Sequence, residues 1–136
     1  MKKLGGIFLK KLVVIGKILV NEAINVNVKR MVIGAPQIAD LAQPGQFVHV
    51  KKMDSVNFLR RPFSIADVNK DEGTITLIYR IVGKGTAEYS ELKVGEQFNI
   101  LGPIGNGFEL KSGRPLLIGG GVGIAPLIYL ALHHNR

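Results

Sequence analysis

From Gly16 to Leu101 the apolar residues come in short runs, each closed by turn residues before a helical period can be established. That rhythm is the pattern of antiparallel strands. Six are expected: Gly16 to Glu22, Val26 to Ile33, Gln46 to Lys51, Phe63 to Val68, Thr74 to Val82, and Gln97 to Leu101. The fifth alternates most clearly, with Ile75, Leu77, Tyr79 and Ile81 on one face and Thr74, Thr76, Ile78, Arg80 and Val82 on the other. Pro44-Gly45 and Val94-Gly95 each precede a strand, and Asp71-Glu72-Gly73 joins the fourth and fifth as a hairpin. Six short strands with no long helix between them favour a closed Greek-key barrel, because closure leaves no unpaired edge.

After Gly113 the pattern changes. Pro115 to Ile118 reads as a short buried strand, a glycine-rich turn follows, and Pro126 opens an apolar helix ending near His134. The expected fold is therefore mainly β: a six-stranded antiparallel Greek-key β-barrel followed by the first strand-turn-helix of an incomplete α/β nucleotide-binding domain. The corresponding division is an N-terminal extension over 1–12, the barrel over 13–110 and the α/β start over 111–136. A parallel strand needs a neighbour, so the rest of that second unit is absent, truncated or supplied by another chain.

At 136 residues the chain can bury one sizeable core. It contains no cysteine, which excludes disulfides, thiolate nucleophiles and cysteine-ligated zinc or iron-sulfur sites within it and fits a reducing, cytoplasmic setting. A net charge of +8 admits an anionic ligand, an acidic partner or a nucleic acid, but no block of five or six like charges marks a nucleic-acid arm. The apolar stretch from Leu4 to Val20 is interrupted by Lys10, Lys11 and Lys17, too much charge for a membrane span. His49, His133 and His134 are too few and too poorly spaced for a metal site.

Three constellations combine residues that suit an anionic ligand. Arg61-Pro62-Phe63-Ser64 opens the fourth strand, where a guanidinium can grip phosphate oxygens bidentately and a serine hydroxyl can donate and accept. Gly83-Lys84-Gly85-Thr86 follows the fifth strand, with Thr86 as the expected N-cap of a short helix from Ala87 to Leu92. Gly119-Gly120-Gly121-Val122-Gly123 lies between the expected strand and Pro126, although its spacing is not Gly-x-Gly-x-x-Gly and no Asp or Glu follows Glu109. Each has a plainer counterpart: a strand start with a solvated Arg60-Arg61 pair, an ordinary turn, and a tight packing turn. A fourth segment, Leu101 to Phe108, reads as a connection, with Phe108 expected in core packing, or else between the two parts or near a ring system.

Their order is more specific than any one of them. Arg61-Pro62-Phe63-Ser64, Ile78-Tyr79-Arg80, Gly83-Lys84-Gly85-Thr86, Gly102-Pro103 and the glycine-rich turn together resemble ferredoxin-NADP reductase-type flavoproteins. The form Gly102-Pro103-Ile104-Gly105-Asn106-Gly107-Phe108 is most similar to the electron-transfer subunit of dihydroorotate dehydrogenase, and the resemblance spans residues 16 to 134.

The resemblance implies an FAD-binding barrel. Arg61, Pro62, Phe63 and Ser64 would bind the flavin, with Ser64 near the reactive edge of the ring and Arg61 toward ribityl or phosphate. Ile78, Tyr79 and Arg80 would line it, and Gly85 with Thr86 would hold the pyrophosphate. Gly119, Gly120, Gly121 and Gly123 would face the nicotinamide nucleotide. No side chain need act as a catalytic acid or base, because the cofactor carries the redox chemistry. The implied function is electron transfer between NADH and a partner dehydrogenase, with dihydroorotate oxidation in pyrimidine synthesis as the setting. Sibling possibilities are a sulfide- or hydrogenase-linked reductase subunit, and a different class is a basic, non-catalytic barrel that binds nucleic acid or protein. Relatives of this kind continue through a full nucleotide-binding domain and a cysteine-rich [2Fe-2S] segment, for which this chain has no ligands.

Overall fold

In a computed structural model of the protein, the alternating runs become strands wherever a neighbour lies within reach. The structure describes residues 2–4, 7–9 and 11–134. Part of the expected extension, and the last two residues of the expected α/β start, lie outside these. Strands β1 (Lys2–Leu4) and β2 (Ile7–Leu9) pair antiparallel as a separate two-stranded sheet, which the sequence reading did not anticipate.

Six further strands follow: β3 (Leu12–Ala23), β4 (Val28–Gly34), β5 (Phe47–Lys52), β6 (Arg61–Asn69), β7 (Thr74–Arg80) and β8 (Gln97–Ile104). They close a barrel in the order β3-β4-β7-β6-β5-β8, with every pairing antiparallel. The β5-β6-β7 meander is inserted between β4 and β8, which makes the topology a Greek key. The Asp71-Glu72-Gly73 turn forms the expected hairpin. Gly73 sits at φ 65°, the left-handed region that side chains disfavour, and a Cβ there would meet Pro36 at 2.9 Å.

Alternation decides which residues fill the interior. On β7, Ile75, Leu77 and Tyr79 are buried while Arg80 is exposed, as the period of two requires. They meet Val48 and Val50 of β5, Ile65 of β6 and Phe98 and Ile100 of β8 in one core cluster. Two helices contribute from opposite ends: α1 (Pro36–Leu41) follows Gly34, and α2 (Lys84–Ser90) follows Arg80, while the β4-β7 register pairs Gly34 with Thr74 and Val28 with Arg80. Helix α1 was not expected; proline opens it, and Ile38 and Ala39 enter the core.

The expected strand from Pro115 to Ile118 does not form. These residues carry no strand pairing, and Leu116 and Ile118 are 83% and 82% exposed. A lone parallel strand has no backbone partner, so the apolar run stays unpaired. The glycine turn becomes a single 3-10 turn, Gly121–Ile124, leading into α3 (Ala125–His134), which packs on β6. Tyr129 of α3 donates from its hydroxyl to the carbonyl of Ala42 at 2.9 Å, fastening the helix beside α1.

Candidate functional site

The β6 start, the β7 end, the start of α2 and the glycine turn converge on one cavity of about 690 Å³. That volume falls in the range of pockets that hold small molecules and cofactors. Arg61, Pro62, Phe63 and Ser64 line it from β6, and Ile78, Tyr79 and Arg80 from β7. Thr86 contributes from α2, and Gly120, Gly121 and Gly123 close the far side. Residues from Arg61 to Ala125 thus share one concavity, two of its contributing strands set side by side by the antiparallel β6-β7 pairing. Val82, Val122 and Ala125 complete the lining and were not anticipated.

Two of the anticipated residues lie off the wall. Gly119 packs against the start of α3, where a Cβ would meet Leu127 at 2.8 Å and Ile124 at 3.0 Å. Gly85 is buried beneath the guanidinium of Arg61. Phe108 is also elsewhere: it is 45% exposed and lies over Gly45, so it is neither in the core nor in the cavity.

The electrostatics of the cavity are one-sided. Among the described residues Arg61 and Arg80 line it, and no aspartate or glutamate does. Arg61 is half-buried, and one of its N–H groups, on Nη1, donates to the Leu59 carbonyl at 3.1 Å. A guanidinium has five donors, so four remain for a ligand. Its neighbour Arg60 turns the other way, donating from Nη2 to Asn99 Oδ1 at 2.6 Å, so the two arginines are not a solvated pair. Ser64 presents a hydroxyl that bonds no other group among the described residues.

Thr86 behaves differently from expectation. The N-cap of α2 is Gly83, and Thr86 stands at the third helical position. Its Oγ1 accepts from the backbone N–H groups of Val82 at 2.8 Å and Gly83 at 3.1 Å, and donates to the Gly83 carbonyl at 3.2 Å. A hydroxyl has one proton and two lone pairs, so this one is saturated. Thr86 therefore shapes the wall and fixes the loop, and has no hydroxyl bond left for a phosphate.

Tyr79 supplies ring surface. Its hydroxyl donates to Asn21 Oδ1 at 3.0 Å, and its ring lies 5.3 Å from that of Phe63. Burial pushes its phenol up to about 12, against the lowering effect of the Asn21 bond. Asn21 was missed by sequence reasoning. From β3 its Nδ2 donates to the carbonyls of Tyr89 and Leu92, both at 2.9 Å, so one amide braces the cavity wall and the end of α2 together. The available signal was an amide inside an apolar strand, where Asn is depleted. Lys29 Nζ adds a bond to the Ser90 carbonyl at 2.6 Å at that same helix end.

A second missed group secures the loop that carries Arg61. Glu88 on α2 accepts from Ser55 Oγ and from Asn57 Nδ2, the latter at 2.6 Å. The Ser55 bond, the Asn57 bond and the charges of Lys52 and Arg61 hold its carboxyl below the usual range against the opposing effect of desolvation.

Known proteins share this architecture. A family model for the oxidoreductase FAD-binding domain matches residues 16–108. The electron transfer subunit of dihydroorotate dehydrogenase B (NAD(+)) from Streptococcus mutans is 48% identical over 105 residues, which is 74% of this chain and 40% of that protein. The subunit of the same name from Lysinibacillus sphaericus is 41% identical over 124 residues, 88% of this chain and 48% of that protein. A solved structure of an NADH-dependent reduced ferredoxin-NADP oxidoreductase superposes with a TM-score of 0.77 at 34% identity, covering 91% of this chain and 43% of that one. The chain spans less than half the length of these relatives. With the matched model covering most of its length, and a closed Greek-key barrel beneath the match, the chain belongs to the oxidoreductase FAD-binding domain family.

Proposed function

We propose that the cavity between β6, β7, α2 and the glycine turn holds FAD, and that the chain is the flavin-carrying part of an electron-transfer subunit. The observation that carries this reading is the lining: two guanidiniums, one uncommitted serine hydroxyl, apolar and ring surface, and no carboxylate. Such a set fits an anionic dinucleotide with a flat heteroaromatic head. Arg61 would bind phosphate or ribityl oxygens with its remaining N–H groups, and Arg80 would add a second positive charge. Ser64 offers both a donor and an acceptor to a ring edge. Phe63, Ile78 and Tyr79 supply the apolar surface that excludes water. Gly120, Gly121 and Gly123 bring backbone close without side-chain bulk. Bound FAD would supply the redox chemistry, taking a hydride from NADH and passing electrons on singly.

The assignment of the donor and acceptor rests on relatives. Proteins 41% to 48% identical carry the name dihydroorotate dehydrogenase B (NAD(+)) electron transfer subunit. We read this chain as serving NADH-linked dihydroorotate oxidation together with a catalytic dehydrogenase subunit. The second reading, a reductase subunit for another oxidoreductase, is favoured by the 0.77 superposition on a ferredoxin-NADP oxidoreductase. A [2Fe-2S] centre would have to be ligated outside this sequence, which has no cysteine.

The test is a spectrum of the purified chain with and without added FAD, followed by release of the cofactor on denaturation. Flavin absorbance that co-purifies or is retained after desalting supports the reading. A colourless protein that ignores FAD and instead binds oligonucleotides in a salt-sensitive way would support the basic-barrel alternative.

A further inference from the structure

We propose that Glu88 is a positioning residue for the ligand of the cavity: its carboxylate tethers the loop over residues 53–60 to α2, and that loop sets the plane of the Arg61 guanidinium. The inference rests on the reading of the cavity as an FAD site, and it gives a part in binding to a residue that does not line the cavity.

The eight residues between β5 and β6 contribute little to the core. Val56, Phe58 and Leu59 are 90%, 76% and 63% exposed, so apolar burial does not hold this segment in place. Polar bonds do so instead. Glu88 gives both carboxylate oxygens to the loop: Ser55 Oγ donates to Oε2, and Asn57 Nδ2 donates to Oε1 at 2.6 Å. Ser55 Oγ also accepts from the backbone N–H of Asn57 at 2.9 Å, which joins the two tethers into one network. At the far end of the loop Arg60 is held by Asn99 of β8. Between these two anchors lies Leu59, whose carbonyl accepts from Arg61 Nη1 at 3.1 Å.

Arg61 opens β6, and its backbone pairs with Val50, but strand pairing fixes no side-chain torsion. A guanidinium grips an oxyanion through a planar fork, so its orientation counts as well as its charge. A loop released from Glu88 regains conformational freedom, and the Leu59 carbonyl then no longer holds the fork in one plane. The charge of Glu88 works in the opposite direction. It is close enough to be felt by Arg61, and a carboxylate there disfavours an anionic ligand. Loss of the tether therefore weakens binding, whereas loss of the charge alone strengthens it. Glutamine and alanine at position 88 remove the same charge, but only glutamine keeps an acceptor for Asn57 and a donor for Ser55.

The experiment is FAD titration of the full chain, stripped of cofactor and followed by flavin fluorescence, for wild type, Glu88→Ala, Glu88→Gln, Asn57→Ala and Arg61→Lys, with Glu88→Ala repeated in the Arg61→Lys background. Glu88→Ala is expected to weaken FAD by about threefold or more, and Asn57→Ala by less, the scale of hydrogen bonds to a charged group. Glu88→Gln is expected to bind FAD more tightly than Glu88→Ala. In the Arg61→Lys background, which keeps the charge and loses the fork, Glu88→Ala is expected to have no further effect. Equal affinity in Glu88→Gln and Glu88→Ala would overturn the proposal, and so would tighter binding in Glu88→Ala than in wild type. An equal loss in the arginine and lysine backgrounds would overturn it as well, since Glu88 would then act by a route other than Arg61. Should Glu88→Ala fail to fold, Asn57→Ala decides from the loop side, and unchanged affinity there would sink the tether. A wild-type chain that takes up no FAD would remove the reading of the cavity and the proposal with it, whereas FAD binding that depends on Arg61 but not on position 88 or 57 would remove only the tether.

Discussion

Val48-His49-Val50 on β5 and Leu116-Leu117-Ile118 after the barrel are alike as short apolar sequence, yet the two valines are 0% exposed while Leu116 and Ile118 are 83% and 82% exposed. The first segment has a strand on each side, β6 and β8, and its alternate residues point into a core lined by the five other strands of the barrel. The second has no strand on either side among the described residues. Apolar content sets where a strand can be buried, and backbone partners set whether it is. Neither segment lines the cavity, which takes one wall from β6 and β7 and another from the glycine turn that follows residues 116–118.

A matched pair of truncations breaks the comparison most sharply. Leu77→Ala should cost about 2–5 kcal/mol, because Leu77 is fully buried and its loss leaves a cavity. Leu116→Ala should lie within about 0.5 kcal/mol of wild type, as exposed substitutions do. Chemical denaturation curves with a common slope decide this; equal costs would mean that residues 115–118 are packed in solution.

Asn21→Ala comes next. It removes two bonds to the carbonyls of Tyr89 and Leu92 and leaves the Tyr79 hydroxyl buried without its acceptor, at an expected cost of about 1–3 kcal/mol. If the amide braces the cavity wall, FAD affinity should fall as well. A loss of stability with unchanged affinity would confine Asn21 to the helix end.

The phenol of Tyr79 gives a signal confined to alkaline pH. Its folded value is raised to about 12 from an ordinary 10.0, so the stabilisation linked to it is complete below about 10 and is lost as pH rises toward 12. Ultraviolet titration of the folded chain should therefore show tyrosine ionising late, and Tyr79→Phe should reduce that late step, leaving the contribution of Tyr89, whose phenol burial also raises.

The smallest effect is at Glu88. Its carboxyl is held low, so its contribution is present above the ordinary glutamate value and fades as pH falls through the lowered one. Glu88→Gln should flatten the acid limb of stability without changing the neutral plateau greatly. An unchanged acid limb would show that the bonds from Ser55 and Asn57 do not steady the loop before Arg61.

Much of the fold was legible because the barrel is built from local alternation. The face assignment of β7 holds at Ile75, Leu77 and Tyr79, and all six barrel strands lie where the apolar runs are. Strand ends were less legible. β3 begins at Leu12 and β8 runs to Ile104, through Gly102-Pro103, because pairing with each other and with β5 extends them beyond what propensity marks. Helix α1 is six residues long, too short to display a helical period.

In the cavity, the residues with distinctive chemistry were visible, since arginine, serine and glycine at turn positions announce themselves. What stayed hidden were supporting contacts set by tertiary geometry: the amide of Asn21, the carboxylate of Glu88 and the saturated hydroxyl of Thr86. Each is an ordinary polar residue in sequence, and only its partners give it a role.

The most direct measurement is the dissociation constant of FAD for the purified wild-type chain, compared with Arg61→Ala and Ser64→Ala under identical salt. The account predicts saturable binding at one FAD per chain, weakened by about tenfold or more in Arg61→Ala through the lost charge-assisted bonds and by less in Ser64→Ala. Saturable FAD binding that is equally tight in all three proteins would contradict it, because the cofactor would then lie somewhere other than this cavity.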